Sequence, residues 1–134
     1  MAKVSGITTS VTVDDADGSA RIITNDVTSL TTNTSRGVQD VTGLDKSAME
    51  RLLLLSDGTI TINGVFNTAA LTGSHTVLST ITDNDTRTVA IGYPGATLTM
   101  EMLAHTYNLS RAQDGSLTFT AELSLADGAV PAWT

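Results

Sequence analysis

The chain has 134 residues, no cysteine and a formal charge of −7, with seven Lys and Arg against fourteen Asp and Glu. That length fits one domain with its own core and leaves no room for a second. The missing Cys removes disulfides, thiolate nucleophiles and Cys-ligated metals and suits a reducing cytoplasm, while basic residues scattered singly argue against a binder of phosphate backbones. Met1 to Gly6 carries no apolar stretch behind Lys3, and the longest leucine run, Leu52 to Leu55, is too short to span a bilayer. An unexported, soluble chain with no membrane partner is therefore expected.

Threonine fills 24 positions and often alternates with apolar residues, as in Thr59-Ile60-Thr61-Ile62 and Thr97-Leu98-Thr99-Met100. β-Branched residues at every second position specify strands with two unlike faces. Five aromatic residues are few, so the core must rest on aliphatic side chains and gain from partners.

In chain order, Ile7 to Val13 reads as a first strand, with Ile7, Val11 and Val13 sharing one face. The acidic turn Asp14 to Gly18 then returns the chain along Ser19 to Thr24 as a hairpin. Asn25 to Gly43 is polar and weakly periodic, and reads as a long loop. A helix is expected next: Asp45 as N-cap, a staple between Leu44 and Met49, a helical run through Ser47 to Leu55, and Gly58 as the residue that closes it. On that helix Ala48, Met49, Leu52, Leu53 and Leu55 form one apolar face that should pack on a sheet. Thr59 to Phe66 follows as a strand, with Asn63-Gly64 as a bulge or tight turn.

Gly73-Ser74 offers a second N-cap, and Val77, Leu78 and Ile81 lie at helical spacing, so a short second helix is expected. A polar turn, Asp83 to Thr86, precedes the strand Arg87 to Tyr93. In the last hairpin Leu98, Met100, Met102 and Ala104 occupy even positions but Tyr107 and Leu109 odd ones, which a bulge near His105 would explain. Leu117, Phe119, Ala121 and Leu123 join the face of Tyr107 and Leu109 if Gln113-Asp114-Gly115 forms a three-residue turn with Gly115 left-handed; a two-residue Asp-Gly turn would set the opposite register. Asp127 to Thr134 reads as an extended arm whose Trp133 needs something to dock on.

Few constellations carry chemistry. Asp14, Asp15 and Asp17 invite a calcium reading, but counting back from Gly18 puts Val13 and Thr24 at the two essential ligand positions of an EF-hand loop, which fails. His75 and His105 are the only histidines, and no GxSxG elbow, HExxH or phosphate loop accompanies them. Glu101 and Glu122 could face each other as a glycosidase-type pair but read more simply as the polar face of strands. The sequons at Asn33 and Asn108 mean little without export. No catalytic residue, metal or cofactor is expected.

The element order and three stretches resemble the major tail (tail tube) proteins of long-tailed, non-contractile bacteriophages, the siphophages, especially those of actinobacterial hosts. The stretches are NDVTSLTTNTSRGVQDVTGLDKSAMERLLLLSDGTITINGVFN from Asn25, SHTVLSTI from Ser74 with RTVAIGY from Arg87, and YNLSRAQDGSLTFTAELSLADGAVPAWT from Tyr107. The resemblance implies a mainly β fold with one clear and one short α-helix, a β-sandwich or partial barrel flanked by a helix. It implies a single domain over 1–134, with a long loop at 25–43 and an extended C-terminal arm at 127–134. It further implies hexameric rings stacking into a tube in the virion, assembled in the host cytoplasm. The tape-measure protein would fill the lumen, tail terminator and tail-tip proteins would cap the ends, and DNA would only pass through.

Six such copies would carry about −42 per ring, which repels passing phosphates. Lumen-lining candidates are Thr97, Thr99, Glu101, Thr118, Thr120 and Glu122. Inter-ring candidates are Val27, Leu30, Arg36, Val38 and Trp133. Rival readings are a monomeric β-sandwich binding or adhesion module, and a tail terminator or connector that makes one ring and stops.

Overall fold

The computed structural model describes residues 3–80, 86–126 and 128–134. Ile81, the Asp83–Asp85 part of the expected turn, Asp127 at the start of the expected arm, and Met1-Ala2 lie outside the described residues. The strands are β1 (Ser10–Asp14), β2 (Ala20–Ile22), β3 (Val27–Asp40), β4 (Arg51–Val65), β5 (Arg87–Tyr93), β6 (Ala96–Arg111), β7 (Leu117–Leu125) and β8 (Ala132–Trp133), with one short helix, α1 (Ser74–Leu78). They form one antiparallel sheet in the order β2-β1-β5-β6-β7-β4-β3, and β8 pairs with β6. The fold is mainly β, as expected, and the short helix stands where the Gly73-Ser74 signal put it.

Alternation dictates the core. Val11 and Val13 of β1, Val89 and Ile91 of β5, Leu98, Met100, Met102 and Ala104 of β6, Phe119, Ala121 and Leu123 of β7, and Ile60 and Ile62 of β4 are all buried on one side of the sheet. Ile7, expected to share that face, precedes β1 and is exposed. The sheet curls so that its edge strand β3 reaches across to β5: the Thr32 hydroxyl on β3 and the Tyr93 hydroxyl on β5 are hydrogen-bonded at 2.8 Å. This closure makes a partial barrel whose interior is the core.

Two irregularities set the last hairpin, the first anticipated from sequence and the second one of the two turns left open there. The β6–β7 register shifts between Ala104 and Thr106, a bulge at His105. Gly115 adopts φ +93°, and Ala112 N–H donates to the Ser116 carbonyl, so the turn is the three-residue one. Tyr107 then stands opposite Ala121 and Leu109 opposite Phe119.

The five residues of α1 are too few to hold a helix on propensity alone. Both ends are held by buried charges of the sense that suits a helix dipole. At the N-terminus the Asp26 carboxylate accepts the Ser74 N–H at 3.0 Å and the Asn67 amide at 2.9 and 3.1 Å. At the C-terminus the Arg87 guanidinium donates to the Val77 and Thr80 carbonyls and to the Thr80 hydroxyl. Both charged residues are 3% exposed. The helix drops Val77 and Leu78 into the core and lays His75 against Phe66, ring centroids 4.8 Å apart.

Two expectations are overturned. The stretch 25–43 is not a loop: after a single 3₁₀ turn at Thr24–Asp26, Val27–Asp40 is a strand paired along β4. Nor is there a helix over Ser47 to Leu55, because Arg51–Val65 is one continuous strand and Gly58 is inside it. Consequently Met49, Leu52, Leu53 and Leu55 do not pack a helix on the sheet; they stand exposed on a hairpin. In physical terms, Arg51 to Leu53 pairs with Val38–Asp40 and the Leu54 carbonyl accepts Arg36 Nε at the bulge, and cross-strand pairing outweighs the modest helix propensity of Ala, Met, Glu and Leu.

Candidate functional site

Three surfaces stand out, beginning with an arm. β3 and β4 are embedded up to the Thr34–Gly58 pair and continue past it as a two-stranded ribbon, through Ser35–Asp57 to Asp40–Arg51. Residues 41–50 close its tip, where the Thr42 hydroxyl accepts the Glu50 N–H and donates to Asp40 Oδ1. That bond to Thr42, seconded by the Thr42 N–H, holds the Asp40 carboxyl below its usual value. A bulge between Arg36 and Val38 bends the ribbon, and Arg36 Nε donates to the Leu54 carbonyl there at 2.8 Å. The arm is almost wholly exposed, although Val38, Val41, Leu44, Met49 and Leu52 to Leu55 are apolar; Leu55 is 89% exposed. A monomer rarely leaves so contiguous an apolar surface in water.

Opposite the core lies a polar face. By register and alternation Thr97, Thr99 and Glu101 on β6, Thr118, Thr120 and Glu122 on β7, Thr59, Thr61 and Asn63 on β4, and Ser29, Thr31 and Asn33 on β3 all belong to it. The six candidate lumen residues thus share one side of the sheet despite the bulge at His105. None of the seven Lys and Arg stands among them: Arg87 is buried, Arg21 is paired with Asp15, Arg36, Lys46 and Arg51 belong to the arm, Arg111 ends β6, and Lys3 precedes β1. Glu101 and Glu122 are not partners. Glu101 stands opposite Thr88, whose hydroxyl it accepts, and Glu122 opposite Thr61 and Thr106.

The third surface joins the arm's root to the C-terminal segment. Thr134 and Thr97 exchange backbone bonds of 2.9 Å, and Trp133 stacks on Tyr93 at 6.1 Å while remaining half exposed. The docking partner of Trp133 is therefore, on one face, its own chain. A cavity of about 240 Å³ lies between Thr34, Ser56, Asp57, Pro131 and Trp133. Of the other inter-ring candidates, Val27 and Leu30 pack partly buried against the core, whereas Arg36 and Val38 stand on the arm.

The titratable residues have structural partners. Asp15 accepts Arg21 Nε at 2.9 Å and the N–H groups of Ser19 and Asp17, and the Arg21 bond chiefly lowers its pKa. The His75 ring meets the Tyr107 hydroxyl at 3.1 Å, and burial raises the Tyr107 pKa. His105 lies between the hydroxyls of Thr106 and Ser124, each at 2.9 Å, on the exposed polar face. Among the described residues no three His, Asp or Glu side chains gather as metal ligands, and no helix is long and apolar enough to cross a membrane.

Sequence reasoning missed the arm because a ribbon with mostly polar residues, Ser35 to Asp40, on one strand and the run Leu52 to Leu55 on the other shows no period of two. The available signal was the opposition of a polar stretch and an apolar stretch of equal length across a turn-rich centre, Gly43 to Ser47.

No family model matches the chain, and no curated protein does. Solved structures do. A chain from the tail of an empty gene transfer agent particle, obtained by helical refinement with C6 symmetry, superposes with a TM-score of 0.79 at 16% identity, covering 98% of this chain and 99% of that one. A chain from the virion of a native gene transfer agent particle gives 0.78 at 15% identity, with coverage of 98% and 99%. End to end, the chain has the fold of these two chains.

Proposed function

We propose that this chain is a structural virion protein, the repeating subunit of a phage-type tail tube, and that it has no catalytic role. The observation that carries the reading is the match of fold over 98% of the chain to a subunit of a sixfold helical tail. The two surfaces are in keeping with it. An arm that exposes leucines in the free chain gains by meeting other copies. A Thr- and Glu-bearing face without Lys or Arg suits the wall of a wet channel through which DNA passes without being held.

In this reading six copies close a ring, the rings stack through the arms, and Thr97, Thr99, Glu101, Thr118, Thr120 and Glu122 face the lumen. A tape-measure protein would occupy that lumen during assembly, and terminator and tip proteins would cap the ends. Single Cys variants test the wall cleanly because the chain has none of its own. In assembled tubes Thr99→Cys, Thr118→Cys and Thr120→Cys should resist a bulky maleimide that labels them freely in the monomer. Full labelling from outside the tube would assign this face elsewhere. Replacing residues 39–52 by an Asn-Gly turn, which fits the Val38–Leu53 pair, should leave a folded protein that no longer polymerises.

A further inference from the structure

We propose that Asp57 is a site of spontaneous covalent modification: its carboxyl closes on the Gly58 nitrogen and converts the Asp57–Gly58 link to isoaspartate at the root of the arm. Among the described residues four Asp or Asn side chains precede a glycine: Asp17, Asp57, Asn63 and Asp114. A following glycine leaves the backbone nitrogen open to attack on the side chain, because no Cβ shields it. On intrinsic chemistry Asn63 should react first, since a carboxylate is a poorer electrophile than a primary amide.

The fold reverses that order. The Asn63 amide is held at both ends, Nδ2 donating to Ser29 Oγ at 3.2 Å and Oδ1 accepting the Thr120 hydroxyl at 2.8 Å. Gly64 beside it is walled in: an added Cβ would lie 2.1 Å from the Asp26 carbonyl oxygen and 2.7 Å from the Phe119 ring, so a cyclic imide has no room there. Asp114 accepts the Ser116 N–H at 3.0 Å, beyond its glycine. The N–H groups of Gly18 and Gly115 donate to the Asp15 and Ala112 carbonyls at 3.0 Å, which fixes both peptide planes in their turns. Asp57 alone of the four is folded back on the next nitrogen, where Gly58 N–H donates to its Oδ1 at 2.8 Å. The carboxyl carbon is one bond further, and a rotation about the Cα–Cβ bond brings it over that nitrogen into a near-attack arrangement. Asp57 is exposed and lines the cavity of about 240 Å³ beside Trp133, so water reaches it.

The step needs no reagent but water. The Gly58 nitrogen bonds to Asp57 Cγ, one carboxyl oxygen leaves as water with the amide proton and the acid proton, and a succinimide results. Water then adds to either ring carbonyl. Breaking the bond from nitrogen to Cγ restores aspartate, whereas breaking the bond to the main-chain carbonyl leaves a free α-carboxyl and a peptide that runs through Cβ and Cγ. The main chain thereby gains one atom at the Ser35–Asp57 pair, the first pair of the free ribbon. An added atom on one strand of a ladder bends it as a bulge does, so the modification would redirect the whole arm.

The test ages the purified whole chain at mildly acidic pH and reads its peptides by mass spectrometry, for a succinimide lighter by one water, and by labelling with an isoaspartate-specific methyltransferase. Isoaspartate at position 57 should accumulate about tenfold faster than at positions 17 and 114 and ahead of deamidation at Asn63. The same chain aged in urea, where no fold holds Asn63, should react at Asn63 first. Asn63 leading in the folded chain, or equal rates at the three aspartates, would overturn the proposal. Asp57→Asn makes the chemistry at the two sites equal: in the folded variant position 57 should deamidate at least about tenfold faster than Asn63, and in urea the two should match. Equal rates in the folded variant would refute the geometry. Neither readout requires assembly, so the tube reading stands or falls separately.

Discussion

Leu55→Ala separates a side chain kept for assembly from one kept for folding. Leu55 is 89% exposed and Leu98 fully buried, so the same substitution should act on two different equilibria. In the dilute monomer Leu55→Ala removes nothing from the core, and the free energy of unfolding should change by no more than about 0.5 kcal/mol. Leu98→Ala should cost about 2–5 kcal/mol, because it opens a cavity between β5 and β8. In the assembled state the order reverses. Covering a leucine this exposed contributes about 2 kcal/mol, and at 1.4 kcal/mol per factor of ten its loss should raise the threshold concentration for polymer about 30-fold. Urea unfolding of dilute protein reads the first effect, and sedimentation over a concentration series reads the second. A monomer destabilised by about 2 kcal/mol at Leu55 would mean that the leucine run packs on its own chain, as a helix on the sheet would have it. An unchanged threshold would mean that the arm lies outside the interfaces.

Three further outcomes follow from the fold. Asp26→Ala leaves the Ser74 N–H and the Asn67 amide without their buried acceptor and should lower stability by about 2–4 kcal/mol; a loss below about 0.5 kcal/mol in urea melts would show that α1 does not depend on this cap. Gly64→Ala would set a methyl 2.1 Å from the Asp26 carbonyl and 2.7 Å from the Phe119 ring, and should cost about 3 kcal/mol or prevent folding; a wild-type melting temperature would refute that packing. The carboxyls of Asp15, Asp40 and Asp114 are held below their usual value of 3.8, through bonds from Arg21, Thr42 and the Ser116 N–H respectively. Because their folded pKa is the lower one, their support is complete above the usual value of 3.8 and is lost as pH falls from there through the folded pKa. The double variant Asp15→Asn, Asp114→Asn should therefore lose less stability than wild type between neutral pH and about pH 2.5; parallel curves would contradict the assignment.

Most strands with one face on the core could be read from sequence; the exception is Val27 to Thr34, where Val27 and Leu30 are the only large apolar side chains and a register shift breaks their alternation. Arg87 to Tyr93 alternates and is β5, and the face switch at His105 reported its bulge before any coordinates. Gly115 could not choose between two turns, and the sequence left both registers of the last hairpin open; the structure has the three-residue turn that puts Tyr107 and Leu109 opposite Ala121 and Phe119. Reading failed where the chain leaves the core. Past Thr34 and Gly58 no residue is buried, so nothing in the monomer imposes a period on β3 or β4. An exposed leucine run such as Leu52 to Leu55 looks the same as the face of a helix over so short a span. The buried pair of helix-end charges was equally hidden, because Asp26 and Arg87 meet α1 from 48 and 10 residues away in sequence.

The central claim is that the bare arm and the Lys- and Arg-free face exist for self-association around a bore. Electron microscopy of the purified chain over a rising concentration series addresses it most directly. Hollow filaments of uniform width, with six subunits around the axis and a continuous central channel, are the predicted result. Single particles of 13.9 kDa at every concentration, with no ring or tube, would contradict it.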